Sequence, residues 1–446
     1  MGGTDGLGVS ELGIEKSEDA TRRRERAVLF VLAAVQFTSI VDFMLVMPLG
    51  PQLMEQLGLS TTQFALIVSS YTFAAGAAGL VAAAVIERFG RKDAFLTVFV
   101  GFLLGTLCCG LAWSYPTLLA ARVLTGAFGG VLGGMALAII GDVFPGHRHG
   151  QATGALMSAF SAASVFGVPF GLAVGVAYGW QKPFLILAGL GTIVLVVAVR
   201  ALPPLREHLE HRREVHPLRE IWTALSLPNH LRAFALMSSL MLAGFVVVPF
   251  LATYMVKNVG VGESRLALGY IVGGLLTIVS SPVIGKLADR LGRLRVFLVV
   301  VPFSALMMIV ATSLPRAPLA LAISVMGVFM VGMSGRMVPA MAMILGSIEP
   351  RRRGSFMSVN SSVQHISAAI GAYVGGLIVV DAADGSLLHY SRVGWLAAAM
   401  SAVALVTAAL IRPLPMARPM TPAMCLGAAD QAVGDPGDPL AAVEAL

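Results

Sequence analysis

The sequence predicts an all-α membrane protein of about twelve transmembrane helices, and three observations predict it. Charged residues make up 12% of the 446 residues and hydrophobic ones 57%. A soluble domain carries about 25% charged residues, so this chain has too few to cover a surface in water. The apolar residues fall in long unbroken runs, near the 20 or so needed to cross a bilayer core as a helix. Glycine is abundant, at 49 residues, which suits helices packed closely in lipid.

The runs cover 27–49, 63–86, 94–112, 118–140, 151–178 and 184–199, then 234–256, 266–287, 296–313, 319–344, 356–380 and 393–411. The longest polar interruption, 201–232, holds Pro203-Pro204 and the charged stretch from Arg206 to Arg213. It divides the chain into a first six-helix bundle, 27–200, and a second, 233–411, joined by a cytoplasmic linker. Residues 1–26 are polar and end in Arg22-Arg23-Arg24-Glu25-Arg26. The apolar run after them is too long for a cleaved signal and contains Asp42, so it reads as the first membrane helix behind a cytoplasmic tail. Residues 412–446, rich in Pro, Ala and Asp, read as a disordered cytoplasmic tail.

Orientation follows from the basic residues. With the N-terminus inside, the inner loops carry Arg88, Arg91, Lys92, Arg148, Arg206, Arg212, Arg213, Arg219, Arg290, Arg293, Arg295 and Arg351-Arg352-Arg353. The outer loops carry only Lys182, Lys257, Arg265, Arg316 and Arg392. Both termini are therefore expected in the cytoplasm, with the chain in the inner (cytoplasmic) membrane. The net charge of +7 is accounted for by this bias and gives no ground for a nucleic-acid partner. Cys108, Cys109 and Cys425 form no disulfide framework.

The halves echo each other. Arg88-Phe-Gly-Arg91 recurs as Arg290-Leu-Gly-Arg293, Gly167-x-x-x-Gly171 as Gly371-x-x-x-Gly375, and Pro145 before a basic loop as Pro350. The offsets are nearly constant and in one order. Such a duplication is a plan used by transporters, with the substrate site between the halves near the bilayer midplane.

Gly285-Lys-Leu-Ala-Asp289-Arg290-Leu-Gly292-Arg293 resembles the loop signature of the major facilitator superfamily, in the inner loop between helices 8 and 9. The first-half copy ends in Glu87-Arg88-Phe-Gly90-Arg91-Lys92, with Ala83 replacing the leading Gly and Glu87 the Asp. The resemblance covers residues 27–411. It implies two pseudo-symmetric six-helix bundles, transport by alternating access, and gating loops at Glu87, Arg88, Gly90, Arg91, Gly285, Asp289, Arg290, Gly292 and Arg293. Arg122, followed by Gly126, resembles the family's helix 4 pattern associated with proton coupling. Gly167-Val-Pro169-Phe-Gly171 resembles the helix 5 antiporter signature of exporters, but Val168, Leu172 and Ala163 depart from it.

Asp42 is the carboxylate well inside a predicted membrane segment, and Arg122 lies inside another. Charges at that depth face a partner or a wet cavity. A carboxylate there gains or loses its proton according to whether a cation stands beside it, which is what a proton carrier needs. Helix 1 runs outward and helix 4 inward, so the two can share one depth. Arg336 lies deep in helix 10, fitted either to an anionic substrate group or to a structural cap. Gln36, Tyr71, Tyr254, Asn360, Gln364 and His365 are further cavity candidates, though polar groups in membrane helices often serve interhelical hydrogen bonds.

No phosphate-cradling loop points to ATP hydrolysis, and no His, Cys and carboxylate cluster points to a metal or another cofactor. The chain is expected to be no enzyme but a monomeric transporter in the bilayer, exchanging a small organic molecule for protons, most like bacterial drug and sugar exporters. An importer, a lipid-moving transporter and a membrane sensor of the same fold are the rivals.

Overall fold

Runs this apolar fold as helices because a bilayer offers no partner for backbone N–H and C=O groups, and a helix satisfies them internally. The computed structural model describes residues 5–85, 88–145, 148–204, 222–223, 225–349 and 352–412, with side chains from residue 23 onward except at 83 and 84. The first half comprises α1 (Asp5–Leu45), α2 (Gly50–Gln56), α3 (Thr61–Val85), α4 (Arg91–Leu111), α5 (Tyr115–Val143), α6 (His149–Ala162), α7 (Val168–Tyr178) and α8 (Gln181–Ala201). The second comprises α9 (Pro228–Phe245), α10 (Val248–Tyr254), α11 (Glu263–Leu291), α12 (Arg293–Thr312), α13 (Leu319–Gly335), α14 (Met337–Gly346), α15 (Arg353–Ile378) and α16 (Tyr390–Leu410). A hairpin, β1 (Val380–Asp381) and β2 (Leu387–Leu388), precedes α16.

Among the described residues, 11 segments are long and apolar enough to cross a membrane. The twelfth expected span is α15, a helix of 26 residues whose Asn360, Gln364, His365 and serines hold its apolarity below that of the others. The chain is a multi-pass membrane protein. Most of the linker and the tail after Arg412 lie outside the described residues.

Four expected spans are interrupted. Helix 1 stops at Leu45 and resumes at Gly50, and helix 7 stops at Phe245 and resumes at Val248. Pro48 and Pro249 sit at these breaks, 201 residues apart (249 − 48); a proline has no N–H to continue the helical ladder. Helix 5 widens into a π turn at Ala163–Gly167, two residues before Pro169. Helix 10 breaks at Arg336.

The halves meet where α3 packs along α15, α7 against α11, and α2 against α10. The largest apolar core runs through both halves, from Leu45 and Phe64 to Val246, Phe250 and Tyr390. Nearer the basic loops each half has its own core, around Val28, Phe95 and Ile139 in one and Phe234, Phe297 and Ile344 in the other. The halves thus share one core at the end away from the basic loops and have separate cores toward them, while α3 stays against α15 as far as Gly76 and Gly79, whose added Cβ atoms would meet Ser362 at 3.0 and 2.8 Å.

Candidate functional site

Helix α1 carries Asp42 into the first half, where it is 0% exposed, and α5 carries Arg122 there, at 1%. Arg122 Nη1 donates to Asp42 Oδ2 at 2.7 Å. Thr106, on α4, donates from Oγ1 to Asp42 Oδ1 at 3.0 Å. Tyr71, on α3, lies under the guanidinium, with Arg122 Cζ 4.2 Å from the ring centroid. Phe43 stacks with Tyr71 at 5.2 Å and reaches Phe245 of the second half at 5.9 Å. Four helices therefore converge on one ion pair. Arg122 Nε has no hydrogen-bond partner among the described residues.

Small residues make the convergence possible. A Cβ on Gly126 would stand 2.2 Å from the carbonyl oxygen of Tyr71, and one on Gly105 would stand 2.5 Å from Thr125 Oγ1. The Gly that follows Arg122 by four residues is there because α3 and α5 touch backbone to backbone at Tyr71. The helix 5 motif presses on the same stretch of α1: a Cβ on Gly167 would meet Val41 at 2.2 Å, and one on Gly171 would meet Leu45 at 2.7 Å. Pro169 is buried between them.

The other candidates separate. Gln36 lies mid-span on α1, beside Gly133, with Oε1 unpartnered. Arg336 is turned into the second half's own core, donating from Nη2 to the carbonyl of Leu240 at 2.9 Å and lying against Met308; no carboxylate pairs with it among the described residues. Tyr254 is likewise committed, donating to the carbonyl of Leu314 at 3.0 Å. Asn360 is fully buried with neither side-chain atom hydrogen-bonded, while Gln364 and His365 are half-buried. No His, Cys, Asp and Glu group among the described residues has the arrangement of a metal site.

The loop signature differs between its copies. Arg91 makes an ion pair with Asp142 at the end of α5, and Lys92 donates to the carbonyls of Val199 and Leu202 at 2.8 and 2.7 Å. Glu87 lies outside the described residues, Arg88 is exposed, and Gly90 precedes α4. In the second copy Arg293 donates to the carbonyl of Ala342 at 2.7 Å. The position matching Asp142 is Gly346 (142 + 204), whose added Cβ would stand 2.7 Å from Arg293 Nη1. Asp289 and Arg290 are exposed, and Gly285 lies on α11. Gly292, at φ 97°, turns the chain in a region that side chains rarely adopt.

Sequence reasoning missed Thr106, although its neighbour Gly105 and the Gly101-x-x-x-Gly105 spacing mark a close-packed face.

Comparison with known proteins agrees with this architecture. The model of the Major Facilitator Superfamily matches residues 32–336 and 233–424. The MFS-type transporter YwfA of Bacillus subtilis is 25% identical over 88% of this chain and 94% of its own. The inner membrane transport protein YdhP of Escherichia coli K12 is 25% identical over 80% of this chain and 90% of its own. Among solved structures, the xylose transporter XylE from E. coli, in a partially occluded inward open conformation, superposes with a TM-score of 0.68 at 16% identity, covering 90% of this chain and 100% of that one. Membership makes the chain a transporter rather than an enzyme, and it belongs to the Major Facilitator Superfamily.

Proposed function

We propose that the chain exports a small organic molecule across the inner membrane in exchange for protons, as a monomer with both termini in the cytoplasm. The observation that carries the proton coupling is the buried Asp42–Arg122 pair, closed by Thr106 and roofed by Tyr71. A carboxylate in this setting stays ionised beside the guanidinium and takes a proton once the two separate. Movement of α1 against α5, or substrate near Tyr71 and Phe43, supplies that separation. Gln36, Tyr71, Asn360 and Gln364 are the residues we assign to substrate; Asn360 supports this by being buried with its amide unpaired. Tyr254 and Arg336 are held within the second half and support it least. Glu87, Arg88, Gly90 and Arg91, with Gly285, Asp289, Arg290, Gly292 and Arg293, are assigned to gating. Export rests on the helix 5 motif Gly167, Pro169 and Gly171. Its departures at Ala163, Val168 and Leu172 favour import as the second reading.

The test is transport by purified protein in proteoliposomes, across a panel of drugs, sugars and metabolites, with and without a pH gradient. Asp42→Asn removes the titrating group at nearly constant volume. It is expected to abolish gradient-driven movement while exchange of substrate for substrate partly survives. An Asp42→Asn protein that concentrates substrate as well as the parent overturns the coupling assignment.

A further inference from the structure

Alternating access requires the halves to part at one face while they close at the other. In this structure every hydrogen bond between the halves, among the described residues, lies at the end away from the basic loops. Gln52 Nε2 donates to Glu263 at 3.2 Å. The other three join the first turn of α3 to the last turn of α15 and the hairpin beyond it. The Thr61 hydroxyl donates to the carbonyl of Val379 at 2.8 Å, and that of Thr62 to the carbonyl of Gly376 at 3.0 Å. The Thr61 backbone N–H donates to Asp381 Oδ2 at 3.0 Å.

The logic is mutual. A helix leaves its first N–H groups and its last C=O groups without partners, and its N-terminus favours negative charge. Here the N-terminus of α3 belongs to one half and the carboxylate that caps it belongs to the other. Ser60 and Gln63 cap α3 locally, so the Asp381 bond is additional to what the helix needs to form. Asp381 is held in place by its own half. It pairs with Leu387 across the hairpin, Lys257 lies 3.9 Å from its other oxygen, and Asn258 grips Leu387 through both backbone groups. The fit is close: a Cβ on Gly376 would stand 2.2 Å from Ala65.

We propose that Asp381 is a latch, an N-cap supplied to α3 from the opposite half, which holds this end of the transporter shut and sets how often it opens. The role is independent of proton coupling, because it concerns the balance between conformations and not the ion that drives it.

Thr253 gives a reporter. It is 0% exposed, and its hydroxyl would lie 2.9 Å from a Cβ on Gly50 of the other half, so a Thr253→Cys thiol is reachable only when this end parts. Full-length protein in proteoliposomes, with and without Thr253→Cys to subtract the native cysteines, is reacted with a membrane-impermeant maleimide. Adding Asp381→Ala is expected to raise the labelling rate roughly three- to ten-fold, the range expected for loss of a capping group. Asp384→Ala, which removes a neighbouring carboxylate bonded only within the hairpin turn, is expected to leave it unchanged. Thr61→Pro is the second variant. Proline is favoured at the first helical position and lacks the N–H that Asp381 accepts, so it too is expected to raise the rate. Parent-like labelling in both Asp381→Ala and Thr61→Pro, or an equal rise in Asp384→Ala, overturns the latch.

Discussion

Among the described residues each half buries one arginine in its core, and the two are held differently. Arg122 meets a carboxylate, itself bonded by a threonine hydroxyl, and an aromatic face. Arg336 meets a backbone carbonyl and a methionine sulfur. They are not counterparts by the internal repeat, since Arg122 maps to Met326 (122 + 204). The first half holds a closed ion pair; the second holds a positive charge with no carboxylate partner among the described residues. Under the proposed coupling, the charge that switches lies in the first half.

Five substitutions break or sharpen that contrast. Arg122→Ala leaves Asp42 buried without a cation and is expected to cost about 3–5 kcal/mol, read as lost denaturant resistance in detergent. A cost below about 1 kcal/mol would mean the pair adds little to the first half. Gly126→Ala forces a methyl group against the Tyr71 backbone, and overpacking of that kind costs about 1–3 kcal/mol. Its repeat counterpart is Met330 (126 + 204), so α13 lacks the glycine that allows the Tyr71 contact. Tyr71→Leu removes the aromatic face beneath Arg122 at a cost of about 0.5–2 kcal/mol, whereas Tyr71→Phe keeps the face and should unfold near the parent's midpoint. Arg336→Met exchanges an unpaired buried charge for an apolar chain that fits beside Met308 and Met333. It is expected to lie within about 1 kcal/mol of the parent, and a loss as large as that of Arg122→Ala would erase the contrast.

The sequence made the helices, the division of the chain and the loop signature readable because those features are sums over many residues. Twenty apolar positions in a row outweigh any single exception. The interruptions at Pro48, Pro249 and Arg336 escaped for the same reason: hydropathy is unchanged across a break that alters only which backbone groups are bonded. Asp42 and Arg122 stood out because charge inside a membrane helix is costly. Thr106 did not, because a threonine there usually bonds its own helix, as Thr125 does to the carbonyl of Ala121. Only the fold reveals which threonine turns to a carboxylate. The Thr61–Asp381 contact joins positions 320 residues apart, and nothing local to either marks it.

The weak apolarity of α15 has a consequence for how the protein is made. Asn360, Gln364 and His365 lie in its first half, and polar groups near the middle of a nascent segment oppose its transfer into lipid. Its polar face is shielded in the finished molecule by α3, synthesised nearly three hundred residues earlier, and by α9. The helices already inserted thus offer this segment a surface to settle against as it leaves the ribosome. Its entry into the bilayer is then an assembly step as much as a partitioning step, and the order of synthesis becomes part of the fold's stability.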